Sequence, residues 1–298
     1  MSALIELIKV LRERTGAGLM DCKTALIANA NDIEKSITWL REKGIAKNAK
    51  KAGRVAAEGL TQMKIAGDEA VIVEINCETD FVAHADPFIA LLNEVTDIAL
   101  ANKAENVDAL MGMKDKTGHD VAFLFNDAGI KLGEKLSLRR VIVVTKKPEQ
   151  LFGSYVHMGG AISVLSVING KDQEIADTIA MCIASNNPVY ASINEVSKEE
   201  LAKEKTIQLE AAKDDPSFAK KPEAIQEKII EGRITKHFEA QVLDFGEYVV
   251  DPSKTVGQVL KEHSMTVESF VKWQVGEGIE KKHDDLAEEV AKQLEGAK

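Results

Sequence analysis

The sequence predicts an α+β protein assembled from several modules, and three observations carry that prediction. The opening stretch repeats apolar side chains at helical spacing. At Glu58 the period switches to β-rich runs, and the order hairpin, helix, strand then comes round a second time downstream. The length of 298 residues accommodates two or three domains, and an apolar content of 45% supplies real cores.

The first helix is marked by Leu4, Ile8 and Leu11, the second by Leu19, Cys22 and Leu26, and the third by Ile33, Ile37 and Leu40. Thr15-Gly16-Ala17-Gly18 separates the first pair, and capping residues from Asn29 to Asp32 separate the second. Helices this short bury little area, as befits an interaction module. Lys43, Lys47, Lys50, Lys51 and Arg54 follow with small residues between them, which reads as a solvated helical linker. Leu60 to Ile65 and Ala70 to Asn76 then form a hairpin around Gly67-Asp68. Helices are expected over Phe88 to Asn102 and Asp120 to Ala128, and a strand over Leu136 to Thr145.

The second round begins with a hairpin of Tyr155 to His157 and Ile162 to Ile168, turning at Gly159-Gly160. A helix from Asp172 to Ala184 follows it. Val256 to Glu262 and Phe270 to Val275 supply a late helix and a closing strand. Between them, Ser197 to Asp244 is nearly all helical. Asp214-Asp215-Pro216 breaks it into two arms, with a stripe of Ile230, Ile234 and Phe238. A charged helical hairpin with so thin a stripe suits contact with a partner. The last twenty residues read as a charged helical tail.

A net charge of −10 argues against general binding to phosphate backbones, which needs a Lys/Arg excess. Cys22, Cys77 and Cys182 are scattered and odd in number, which supports reduced, buried thiols and neither a zinc ribbon nor a disulfide framework. Glu6 and Lys9 interrupt the apolar start, giving an amphipathic helix instead of a secretory signal, and no apolar run approaches the ~18 residues of a membrane span. A cytoplasmic protein is expected.

The parts of a nucleotide-binding or hydrolytic enzyme are missing. Gly129 to Lys135 imitates the spacing of a phosphate-binding loop without its Gly-Lys-Ser/Thr core. Gly276-Glu277-Gly278 is a strand exit. His157 with Gly159-Gly160 has the look of an oxyanion loop but no nucleophile elbow accompanies it. His84 and Asp86 are too few for a metal site. No catalytic residue, cofactor or metal is expected.

The most informative string runs from Glu74 through Ile75, Asn76, Cys77, Glu78, Thr79, Asp80, Phe81 and Val82 to Ala83: a buried-type strand that enters a turn bearing an acid and a large aromatic. Read alone, Asp80 is a cap and Phe81 a local core plug. The string is similar to one signature of the translation elongation factor Ts family, and Leu11 to Leu26 is similar to another. Gly153 to Gly160, Glu231 to Arg233, Pro252 to Gly257 and Val275 to Glu280 resemble further family segments in the right order. His84 stands where the family more often has Lys, Arg or Asn.

The resemblance implies a module like the ubiquitin-associated (UBA) type at 1–45, a linker at 46–55, and two similar α+β core halves. The halves would be 56–145, and 146–196 with 245–278, the second interrupted by the helical hairpin at 197–244. A short C-terminal helical module would take 279–298. It also implies a guanine-nucleotide exchange factor that binds elongation factor Tu and speeds GDP release so that GTP rebinds. Thr79, Asp80, Phe81 and Val82 would be the magnesium-displacing wedge, with Lys23, Leu132, Gly133, His157, Val249 and Val250 as further partner contacts. A core-packing role is the plain alternative for the two valines. The partner would be that GTPase, with no nucleotide held by the chain itself and no membrane; a homodimer or a 2:2 complex is compatible. The main rival is a UBA-type adaptor without exchange activity, which leaves the Asp80-Phe81 turn without purpose. A hydrolase using His157 is a lesser rival.

Overall fold

The computed structural model describes residues 2–213 and 216–280, so Asp214, Asp215 and most of the expected C-terminal helical tail lie outside the described residues. The architecture is α+β, with two three-stranded sheets. The chain forms two compact units, one holding the residues up to Val144 with the segment from Gln274, the other Thr145–Trp273.

In the first unit, α1 (Ser2–Thr15), α2 (Leu19–Ala28) and α3 (Ile33–Lys50) enclose a small core of Ile8, Leu11, Ala17, Cys22, Ala25, Leu26 and Leu40. The predicted stripes supply most of it. Leu19 does not join: it stands 53% exposed in the first turn of α2, and Ala17 belongs to the core instead. Asp32 caps α3 by accepting from the Lys35 amide. The basic stretch is mostly exposed, as its charge predicts, with Gly44 the buried exception. Its small residues let one face pack closely, so that a Cβ at Gly44 would meet Ile130 Cδ1 at 2.1 Å. Asn48 Nδ2 also donates to the Asn126 carbonyl at 3.1 Å.

The sheet of this unit has the order β1 (Glu58–Ala66), β2 (Glu69–Cys77), β3 (Ser137–Thr145). β1 and β2 pair antiparallel from Glu58 opposite Cys77 to Ala66 opposite Glu69, around the Gly67-Asp68 turn. Four helices lie between β2 and β3: α4 (Asp80–Ala83), α5 (Asp86–Asn102), α6 (Val107–Gly112) and α7 (Val121–Leu132). Val73, Ile75, Phe88, Leu92, Val95 and Leu110 are among the buried side chains that hold sheet and helices together.

β2 is buried along nearly its whole length, including the charged Glu74, which is fully enclosed. Its carboxylate accepts from Arg139 at 2.9 Å, Arg140 at 2.5 Å and the Gly276 amide at 3.0 Å. Arg140 also donates to the Gln274 carbonyl at 2.9 Å, and Arg139 to that of Glu277. A buried charge is tolerated only when paired and hydrogen-bonded, and here both conditions are met.

In the second unit the sheet runs β4 (Gln150–His157), β5 (Ile162–Asn169), β6 (Thr266–Gln274), with β4 and β5 antiparallel. Pairing carries β6 four residues further back than the apolar run at Phe270 predicts. The helices are α8 (Gln173–Asn186), α9 (Lys198–Lys213), α10 (Pro216–Ala219), α11 (Glu223–Phe238) and α12 (Val256–Glu262). Val164, Ile168, Ile179, Ile183, Leu243, Val256 and Leu260 form the main core. α9 and α11 make the hairpin arms. Ile230 packs with Ala212 and Phe218, and Phe238 with Val196 and Val242. No helix among the described residues is long and apolar enough to cross a membrane.

Candidate partner-binding site

The apolar run of β2 ends at Cys77, and the chain turns at once into α4. Thr79 caps that helix: its side-chain oxygen accepts from the Val82 amide. Phe81 in the first turn is 84% exposed. Asp80 beside it is exposed too, its Oδ1 accepting from the Phe81 amide at 2.9 Å. Val82 is half-buried against the unit core and Ala83 is buried, so these two anchor the turn from below. The local reading of Phe81 as a core plug is therefore wrong. A Phe this exposed forgoes most of the about 1.5–3 kcal/mol that full burial supplies, leaving that apolar area available to a partner.

The turn stands on a fully bonded platform. Glu134 accepts from the Glu78 amide at 2.9 Å and the Thr79 amide at 3.0 Å through Oε2, and from the Thr79 hydroxyl at 2.6 Å through Oε1. Glu78 answers by accepting from the Lys135 amide at 2.7 Å and from Arg54 at 3.2 Å. The Cys77 thiol donates to the Thr79 carbonyl at 3.1 Å. Burial, with Glu134 and Glu58 nearby, pushes that thiol up to about 12, so it stays a proton-bearing donor.

Leu132 and Gly133 come to the same place. Leu132 is half-buried on the core, and Gly133 closes α7 in the left-handed region at φ 76°, its amide donating to the Gly129 carbonyl at 3.1 Å. That conformation costs a glycine least, and it reverses the chain so that Glu134 meets the turn. Lys23 is exposed on α2, with exposed Leu19, Met20 and Ile27 at helical spacing around it.

In the second unit, His157 ends β4, exposed, with its Nδ1 3.0 Å from the Tyr155 hydroxyl. Met158 follows at φ 46° and is 74% exposed. Val249 is half-buried against the unit core, as an ordinary aliphatic would be. Val250 is exposed, on a turn in which Asp251 Oδ1 accepts from the Ser253 hydroxyl at 2.6 Å and amide at 3.2 Å. Those bonds hold the Asp251 carboxyl below its usual range. No group of three or more His, Cys, Asp or Glu among the described residues is placed to hold a metal ion.

A family model described as Elongation factor TS matches residues 78–277, more than half of the chain. The chain belongs to the elongation factor Ts family. Elongation factor Ts proteins are nucleotide-exchange factors for elongation factor Tu in translation. The matched span opens on Glu78, at the foot of the exposed turn, and includes every expected contact except Lys23. Two neighbours of those contacts escape sequence reasoning. Met158 lies inside the Gly153 to Gly160 segment without being singled out there, and Glu134 is 55 residues from the threonine it holds.

Proposed function

We propose that this chain releases GDP from elongation factor Tu by pushing Asp80 and Phe81 between two helices of the GTPase near its magnesium site. The observation that carries the reading is Phe81, an aromatic held 84% exposed on a turn whose backbone is bonded from several sides. A wedge must be rigid before it meets its partner, because ordering a loose turn on contact would subtract from the binding energy. Phe81 supplies apolar area, and the Asp80 carboxylate competes for donors that hold the partner's switch elements. His157, backed by Tyr155, presses near the partner's phosphate loop. Lys23 with its apolar surround, Leu132, Gly133 and Val250 extend the contact, and Val249 supports Val250 from the core side.

Exchange is negative coupling between two ligands of one GTPase. The factor binds the nucleotide-free form more tightly than the loaded form, and nucleotide weakens the factor by the same ratio. Equal affinity for both forms would displace nothing. The helical module at 1–45, the two α+β halves and the hairpin at 197–244 are then a frame that spreads contact over the partner. The two hairpin-plus-helix sheets support reading the halves as a duplication. The rival adaptor reading leaves Phe81 unexplained.

The double variant Asp80→Ala/Phe81→Ala tests the proposal. It is expected to keep the parent's fold and to lose most of its acceleration of fluorescent GDP-analogue release from elongation factor Tu. Release as fast as with the parent would sink the wedge.

A further inference from the structure

We infer that Glu134 is a positioning residue for exchange: its carboxylate clamps the base of the Asp80-Phe81 turn and keeps Phe81 in the orientation that enters the partner. The inference rests on the wedge reading and adds to it a residue that acts through the turn it holds.

Three donors converge on this one side chain. Both carboxylate oxygens are used, one on the amides of Glu78 and Thr79, the other on the Thr79 hydroxyl. These are charge-assisted bonds, about twice as strong as neutral ones. They take up two consecutive backbone amides that the strand no longer serves and the four-residue helix α4 does not yet use. The same threonine oxygen accepts from the Val82 amide, so the clamp reaches the first turn of α4 through a single atom. The Thr79 carbonyl accepts from the Cys77 thiol at 3.1 Å and the Ala83 amide at 3.3 Å. Every polar backbone group of Thr79 is thereby engaged, and Glu134 is the contributor from outside the turn.

The clamp is also reciprocal. Glu78, at the turn, takes the Lys135 amide at 2.7 Å, while Lys135 Nζ donates to the Arg54 carbonyl at 2.8 Å. Two segments far apart in sequence are thus bonded in both directions. Gly133, in its left-handed conformation, is what lets the end of α7 deliver Glu134 to this spot.

The mechanism is a population effect. When only a fraction of molecules holds the turn in the entering conformation, apparent affinity falls by that fraction. Removing the clamp leaves the two amides to water, and the turn samples other conformations. The loss should appear as a higher half-saturating concentration of factor, with maximal stimulated release retained, because bound molecules are still wedged.

The test measures stimulated release of a fluorescent GDP analogue from elongation factor Tu across factor concentrations, with the full chain carrying Glu134→Ala, Glu134→Gln, Phe81→Ala and the double Phe81→Ala/Glu134→Ala. Glu134→Ala is expected to raise the half-saturating concentration at least tenfold. Glu134→Gln, which keeps a carbonyl for the amides, is expected to recover most of that. In the double variant, removing Glu134 should add little to the loss caused by Phe81→Ala, because the clamp acts through that ring. Parent-like behaviour of Glu134→Ala, or losses that simply add in the double variant, would overturn the positioning role. If Glu134→Ala fails to fold, a glutamine variant as impaired as Phe81→Ala would overturn it, and one near the parent would support it. Parent-like Phe81→Ala would instead condemn the wedge reading itself, so the two failures are distinguishable.

Discussion

Replacing Phe81 alone by alanine separates what the ring does for the fold from what it does for the partner. The ring is 84% exposed, so nearly all of its apolar surface is still available for burial. Full burial of a Phe is worth about 1.5–3 kcal/mol, and the exposed share of that is about 1.3–2.5 kcal/mol. At 1.4 kcal/mol per decade this corresponds to roughly 8- to 60-fold in affinity for the nucleotide-free GTPase. The cost to the fold should stay within about 0.5 kcal/mol, as for other surface changes. The assay pairs thermal unfolding with stimulated release of a fluorescent GDP analogue at a series of factor concentrations. Unchanged unfolding with weakened stimulation is the expected pair. Parent-like stimulation would refute the reasoning, and so would a loss of several kcal/mol in stability, which would make Phe81 a structural residue after all.

Two other outcomes test the frame that carries the ring. Glu74→Ala strips a buried partner from Arg139 and Arg140, and breaking such a pair should cost about 3–5 kcal/mol, read as a lower midpoint of chemical denaturation. Burial raises all three cysteine thiols, with Cys77 pushed from 9.0 to about 12. An acid held in its neutral form contributes stability that is fully present below its unfolded value. For Cys77 this contribution is lost as pH rises from about 9 to about 12. At pH 8 the native chain should therefore react with a thiol reagent very slowly, and the same chain in denaturant should titrate three thiols.

The parts of this fold that sequence reveals are those written in local periodicity. The stripes through Leu11 and Leu26, the hairpin around Gly67-Asp68 and the arm stripe at Ile230 and Phe238 each announce themselves within a dozen residues. α4 and α6 do not, because helices of four and six residues are too short to display a period. The exposed turn is visible as a motif: local logic alone sends Phe81 inward, the family resemblance expects it at the surface, and it is 84% exposed. Glu134 is invisible for a different reason: its partners are 55 and 56 residues away, and an acid after a helix-ending glycine looks like any solvated residue. The basic run from Lys43 to Arg54 is exposed as its charge suggests, and only the close approach of Gly44 to Ile130 within it goes unannounced.

The enclosed carboxylate of Glu74 also sets an order of events during synthesis. Its third donor, the Gly276 amide, lies 202 residues further along the chain. At about 5–20 residues per second, roughly 10–40 s pass between the making of the acid and the making of that amide. The strand leading into the exposed turn thus receives that bond only after about two hundred further residues have been made. A polypeptide stopped before residue 274 would carry the whole Asp80-Phe81 motif and still lack the closing contact beneath it. The arrival of Gly276 is thereby registered in the strand that runs into the exposed turn.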